Sequence, residues 1–267
     1  MSVQQRNNVH VSGSGPVTLV FGHGFGGSQA MWRYLRSAFE GRYRIVVFDL
    51  VGSGRSDLGA YDRTKYASLS GYAADLLDIL TEFTDAPVVF IGHSVSATIG
   101  MLTAIQAPER FAALVMVAPS PSFIDSGDYI GGFGRADIDE LLETLESNYF
   151  GWSNGIAPTI MGAPERPELG DEMAASLCRA DPDIAKHFAR VVFLTDSRDK
   201  LDKLRVPTLI LQSSEDFLAP LAVGEYMQRN IPDCTLSVIE NTGHCPHLSA
   251  PAACTDAIAS YLHGRGL

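Results

Sequence analysis

The segment Val88-Val-Phe-Ile-Gly-His-Ser-Val-Ser-Ala97 constrains this chain more than any other. An apolar run of strand length enters Gly92-His93-Ser94, and small and apolar residues continue from Ser96 to Gln106, before Pro108. The order is strand, tight turn, helix. A serine hydroxyl is a weak nucleophile unless a base takes its proton during attack. A sharp strand-to-helix turn exposes that hydroxyl and aims the first N–H groups of the helix at a developing negative charge. Small residues two before and two after the serine let the turn close. Gly92 and Ser96 fill those positions, although the general pattern G-x-S-x-G has glycine at the second.

The rest of the chain supplies a scaffold for such a turn. Short apolar runs at Val17–Phe21, Arg44–Phe48, Val88–Ile91, Ala113–Val117, Thr208–Gln212 and Thr235–Ile239 suit strands covered on both faces. Helical spacing appears at Tyr72–Phe83, Ser96–Gln106, Leu221–Ile231 and Pro251–Leu262. This alternation predicts an α/β fold with a doubly wound, mostly parallel sheet. From about Ser120 to Lys200 no comparable strand run occurs. Helical patterns at Ile138–Phe150, Asp171–Arg179 and Ile184–Leu194 predict a helical insertion. Between Gly151 and Gly170, residues Gly155, Pro158, Gly162, Pro164 and Pro167 read as helix breakers. The expected division is a core of residues 1–119 and 200–267, with residues 120–199 inserted.

Two further loops complete the expected chemistry. Phe21-Gly-His-Gly-Phe-Gly-Gly27 follows the first strong strand, and its glycines permit close approach of N–H groups to a ligand. The N–H groups of Phe25 and Val95 are the candidate oxyanion donors. The glycine spacing fits no dinucleotide loop and lacks the Lys-Ser/Thr ending of a phosphate loop. Among seven histidines, His244 in Asn241-Thr-Gly-His-Cys-Pro-His247 is favoured as the base, because Gly243 frees the loop to turn it inward; His247 is its competitor. A metal site from His244, Cys245 and His247 lacks further ligands at suitable spacing, so no metal or cofactor is expected. Asp216 in Ser213-Ser-Glu-Asp216 is the candidate acid, preferred to Glu215 for its shorter arm. Asp49 is assigned to the Gly52–Ser56 turn. His23 and His93 are expected to hydrogen-bond within their own loops.

Composition bounds the partners. Twenty Lys and Arg against 31 Asp and Glu give a net charge of −11, which disfavours nucleic acid and anionic membranes. Four cysteines without a CxxC pair fit reduced thiols. Residues 1–16 lack the pattern of a signal peptide, and no apolar run has the length of a bilayer span, so a cytoplasmic location and no membrane partner are expected.

Taken together, HGFGG, DLVGSGRS, GHSVSA and NTGHCPHLSAP resemble the α/β-hydrolase superfamily. Within it they are similar to the bacterial RsbQ-type stress-response hydrolases and the plant karrikin and strigolactone receptor hydrolases. GHSVSA and the segment Gly131–Leu142 followed by Asn148-Tyr-Phe-Gly-Trp152 carry the narrower likeness, which spans about residues 5–264. The resemblance implies an α/β-hydrolase fold with a four-helix, V-shaped cap over a hydrophobic pocket. It places Phe25 and Val95 at oxyanion positions and Phe123, Phe133, Trp152, Val192, Phe193 and Leu218 at pocket positions. Cys245 and Leu218 depart from the residue types common there. The expected activity is cofactor-free hydrolysis of small hydrophobic esters or lactones through an acyl-enzyme on Ser94, with His244 as base and Asp216 as its partner. The alternative is a signalling module that captures or hydrolyses a small ligand and acts on a protein partner in stress signalling.

Overall fold

A computed structural model describes residues 1–267. Its centre is a seven-stranded sheet in the order β1-β3-β2-β4-β5-β6-β7. The strands are β1 (His10–Ser12), β2 (Thr18–Gly22), β3 (Arg44–Val47), β4 (Val88–His93), β5 (Phe111–Val117), β6 (Thr208–Glu215) and β7 (Cys234–Thr242). All neighbours are parallel except β1, which runs antiparallel to β3 along the edge. The helices are α1 (Val3–Arg6), α2 (Arg33–Phe39), α3 (Leu69–Phe83), α4 (Val95–Gln106), α5 (Arg135–Ser147), α6 (Tyr149–Met161), α7 (Pro167–Arg179), α8 (Pro182–Phe193), α9 (Leu221–Asn230), α10 (Pro246–Ser249) and α11 (Pro251–Gly264).

The apolar runs are continuous because both sheet faces are covered. Alternate residues enter different cores. Leu19, Phe21, Ile45, Val47, Val89 and Ile91 pack with Leu35 and Phe39 of α2 and Ile258 and Leu262 of α11. Val20, Val46, Phe48, Val88 and Phe90 pack with α3, α4 and α9 on the other face. Burying each such side chain contributes about 1.5–3 kcal/mol.

Connectivity fixes where a site can form. From β2 the chain moves outward to β3, then crosses back over β2 to reach β4 and proceeds the other way. The carboxyl ends of β2 and β4 therefore flank a topological switch point, where the chain leaves a crevice. The loops after β2 and β4 carry the glycine-rich segment and Ser94. Helices α5–α8 lie between β5 and β6 and cover this end.

Two elements differ from the expectation. β1 is too short and too exposed to show an apolar signature. α6 crosses the supposed breakers: Tyr149, Ser153, Ala157 and Ile160 bury one face while Gly151, Gly155 and Pro158 lie on the exposed side. Pro158 stands near the helix end, and Gly162 closes the last turn in the left-handed region at φ 60°. The expected helix 138–150 is in turn divided at Asn148, whose side chain caps α6 by accepting from Gly151 N.

Candidate active site

Ser94 adopts φ 53°, ψ −120°, a conformation L-residues rarely occupy and which surrounding structure must hold. Its N–H donates to Val117 O at 2.9 Å, anchoring the turn to β5. A Cβ at Gly92 would stand 2.6 Å from Ser96 O, so only glycine fits there. Ser96, the departure from the general motif, has a specific partner: its hydroxyl donates to His23 O in the glycine-rich loop. Gly22 makes room for it, since a Cβ there would lie 3.0 Å from the Ser96 side chain. The hydroxyl thus ties the turn to the loop that carries Phe25.

The three candidate residues meet. Ser94 Oγ lies 2.8 Å from His244 Nε2, and His244 Nδ1 lies 2.7 Å from Asp216 Oδ2. Hydroxyl to Nε2 and Nδ1–H to carboxylate is the consistent direction of donation. Asp216 Oδ1 accepts from Leu218 N and Ala219 N at 2.9 and 3.1 Å, which fixes the carboxylate. Glu215 points outward, where Thr242 Oγ1 donates to it. Asp49 accepts from Gln29 N, Arg55 N and Asn8 Nδ2, so it braces two loops.

The His244 loop is gripped on both sides. His244 N donates to Ile160 O of α6 at 2.7 Å, and Gly243 N donates to Glu215 O at 2.7 Å. Gly243 has φ 105°, and a Cβ there would come within 2.2 Å of Met161 O. His93 Nε2–H donates to His244 O at 2.9 Å, which reaches beyond its own loop, unlike the expectation. His23 does so in part: Nδ1–H donates to Gly24 O within its loop, but Nε2 accepts from Leu50 N in the loop after β3.

A column of rings lies behind His244. Trp32 packs at a tilt against His247 with centroids 4.6 Å apart, His247 against His93 at 4.4 Å, and His93 against His244 at 5.0 Å. Both nitrogens of His247 are buried without a partner. Burial holds His247 down to about 3, and the neighbouring His244 adds to this. Burial likewise lowers His93 and His23. These imidazoles are neutral near pH 7, so none competes with a positive charge on His244. Burial pushes the Cys245 thiol well up, which makes it a packing group. All four cysteines are unpaired.

Above Ser94 is an apolar cavity of about 30 Å³. Phe123, Trp152, Val192, Phe193 and Leu218 line it as expected, with Phe25 and His244. Phe133 does not. Its backbone pairs with the 123–125 segment and its ring meets Phe217, which draws it away from the cavity. Leu141, Ile156, Ile160 and Met173 line the cavity without having been expected. Their signal was the apolar phase of α5–α7, hidden in α6 by the glycines and proline. The Phe25 ring packs on Trp152, Phe188 and Phe193 at 5.6–6.4 Å. The Phe25 N–H donates to no backbone carbonyl, and Val95, first in α4, has no acceptor within its own helix.

Such an arrangement can make a hydroxyl nucleophilic beside free N–H donors, without a metal; no group of three or more His, Cys, Asp and Glu is placed to hold one. No helix is long and apolar enough to cross a membrane.

Comparison with known proteins gives the family of the chain. Residues 19–257 match the profile of the alpha/beta hydrolase family. A karrikin insensitive 2 receptor of Petunia hybrida is 36% identical over 98% of this chain and 97% of its own. The strigolactone esterase D14 of Arabidopsis thaliana is 37% identical over 92% of each chain. Among solved structures, a hydrolase from Oleispira antarctica superposes with a TM-score of 0.95 at 40% identity, covering 98% of this chain and 96% of the other. The chain belongs to the alpha/beta hydrolase family, with esterase-type hydrolases among its relatives.

Proposed function

We propose that the protein hydrolyses small apolar carboxylic esters or lactones through an acyl-enzyme on Ser94. The observation that carries this is the continuous Ser94–His244–Asp216 hydrogen-bond chain beside a small apolar cavity.

Ser94 Oγ attacks the ester carbonyl as His244 Nε2 takes its proton. The oxyanion forms against the N–H groups of Phe25 and Val95, each worth about 3 kcal/mol of barrier. His244 then gives its proton to the departing alkoxide, and the C–O bond breaks. A water, deprotonated by His244, attacks the acyl-enzyme and regenerates Ser94. Asp216 holds the tautomer with hydrogen on Nδ1 and stabilises the imidazolium. For a lactone the leaving oxygen stays tethered, and the product is a hydroxy acid.

Helices α5–α8 act as a cap. The cavity of about 30 Å³ is far below the roughly 300–1,000 Å³ of ordinary ligand sites, so it suits a short acyl group or requires the cap to move. Aryl esters of increasing acyl length test this. Acetate is expected to be best, with kcat/KM falling at least about tenfold by octanoate. Rising kcat/KM with length would contradict the short-acyl reading.

The likeness to a named receptor favours a second reading, in which ligand capture is itself the output. Turnover slower than ligand dissociation, together with a ligand-dependent shift in cap protection from hydrogen exchange, would distinguish it.

A further inference from the structure

Between the Gly26–Ala30 segment and the carboxyl end of α7 lies a second recess of about 620 Å³, lined chiefly by polar residues and glycines. We propose that it binds a phosphorylated small molecule carrying two or more negative charges. Four arginines, Arg33, Arg36, Arg55 and Arg179, face this recess against one lining carboxylate, Asp49, in a chain whose net charge is −11. Asp49 is buried and already accepts from three donors. Arg33 grips Glu172 with both nitrogens at 2.8 Å, and Arg36 reaches Glu40 at 3.4 Å. Arg55 and Arg179 have no carboxylate partner, so two guanidinium groups are free to engage an anion.

Arginine presents donors in a planar fork that matches phosphate oxygens, and a recess of this size admits a phosphate together with the molecule it is attached to. The free arginines come from different parts of the fold: Arg55 follows β3 in the core, and Arg179 ends α7 in the insertion. An anion between them joins core and insertion at a seam already closed by Arg33–Glu172 and by Ser176 Oγ donating to Gly26 O at 2.7 Å. Gly26 lines this recess and its neighbour Phe25 lines the apolar cavity, so one loop borders both.

Titration calorimetry of the full chain with inorganic pyrophosphate, against sodium chloride at equal ionic strength, tests the site. One-to-one binding with Kd at or below about 1 mM is expected. The double variant Arg55→Gln/Arg179→Gln is expected to weaken it by about tenfold or more, with unchanged melting temperature and ester turnover. Each single variant should lose part of that affinity, because each guanidinium contributes its own donors. No saturation by about 10 mM, or equal binding by the folded double variant, overturns the proposal. The readout is binding, so it stands or falls independently of the reaction assigned to Ser94.

Discussion

At the scale of single residues, the site is held by contacts that its motif alone does not announce. Ser94 was legible because a strand, a glycine and a small-residue helix surround it. His244 and Asp216 were legible from chain order and strand ends. The Ser96 hydroxyl bond to His23 O and the His93 bond to His244 O were not, because each joins loops far apart in sequence. Phe133 was misplaced for a related reason: aromatic identity does not tell which wall a ring joins. Asp216→Asn is expected to retain the fold and reduce kcat by about 10⁴-fold, since it frees His244 to take the wrong tautomer. Steady-state kinetics with an aryl acetate checks this. Ser96→Ala leaves the buried His23 carbonyl without this donor and is expected to cost about 1–3 kcal/mol, read from urea unfolding. A loss of kcat beyond any change in KM would show that the tie also positions the Phe25 loop.

At the scale of elements, α6 is the instructive case. Glycines and a proline outweigh helical phase when a sequence is read locally. In the folded chain they occupy the exposed side, and packing of the opposite face decides the outcome. The core strands were legible because burial on both faces leaves an unbroken apolar run. β1 lacked that signature. The end of α6 also holds the proposed base: Ile160 O receives His244 N, and Gly243 approaches Met161 O closely. Gly243→Ala is therefore expected to separate α6 from the His244 loop. A loss of about 1–3 kcal/mol in stability should accompany a fall in kcat. Unchanged kcat in a destabilised variant would mean that the loop holds its position without α6.

At the scale of the whole molecule, acid stability should report the buried histidines. His23, His93 and His247 are neutral when folded, with pKa values below the ordinary 6.5. Once unfolded they bind protons near 6.5. Below that pH the unfolded chain therefore holds more protons, and stability falls as pH falls until the folded pKa is reached. For His247 that window runs from about 6.5 to about 3. Within it His247 contributes a slope of about 1.4 kcal/mol per pH unit. His247→Phe removes this contribution and retains a ring against Trp32. The stability lost between pH 7 and pH 5 should then shrink by about 2 kcal/mol, measured by urea unfolding at both pH values.

Intact-protein mass spectrometry after rapid acid quench, with a slowly deacylated aryl ester, interrogates the chemistry most directly. A mass gain equal to the acyl group is expected, mapped to the peptide bearing residue 94 and missing from Ser94→Ala, whose turnover drops by about 10⁵–10⁶-fold. An acyl group found on another residue, or brisk ester cleavage by the folded alanine variant, would contradict it.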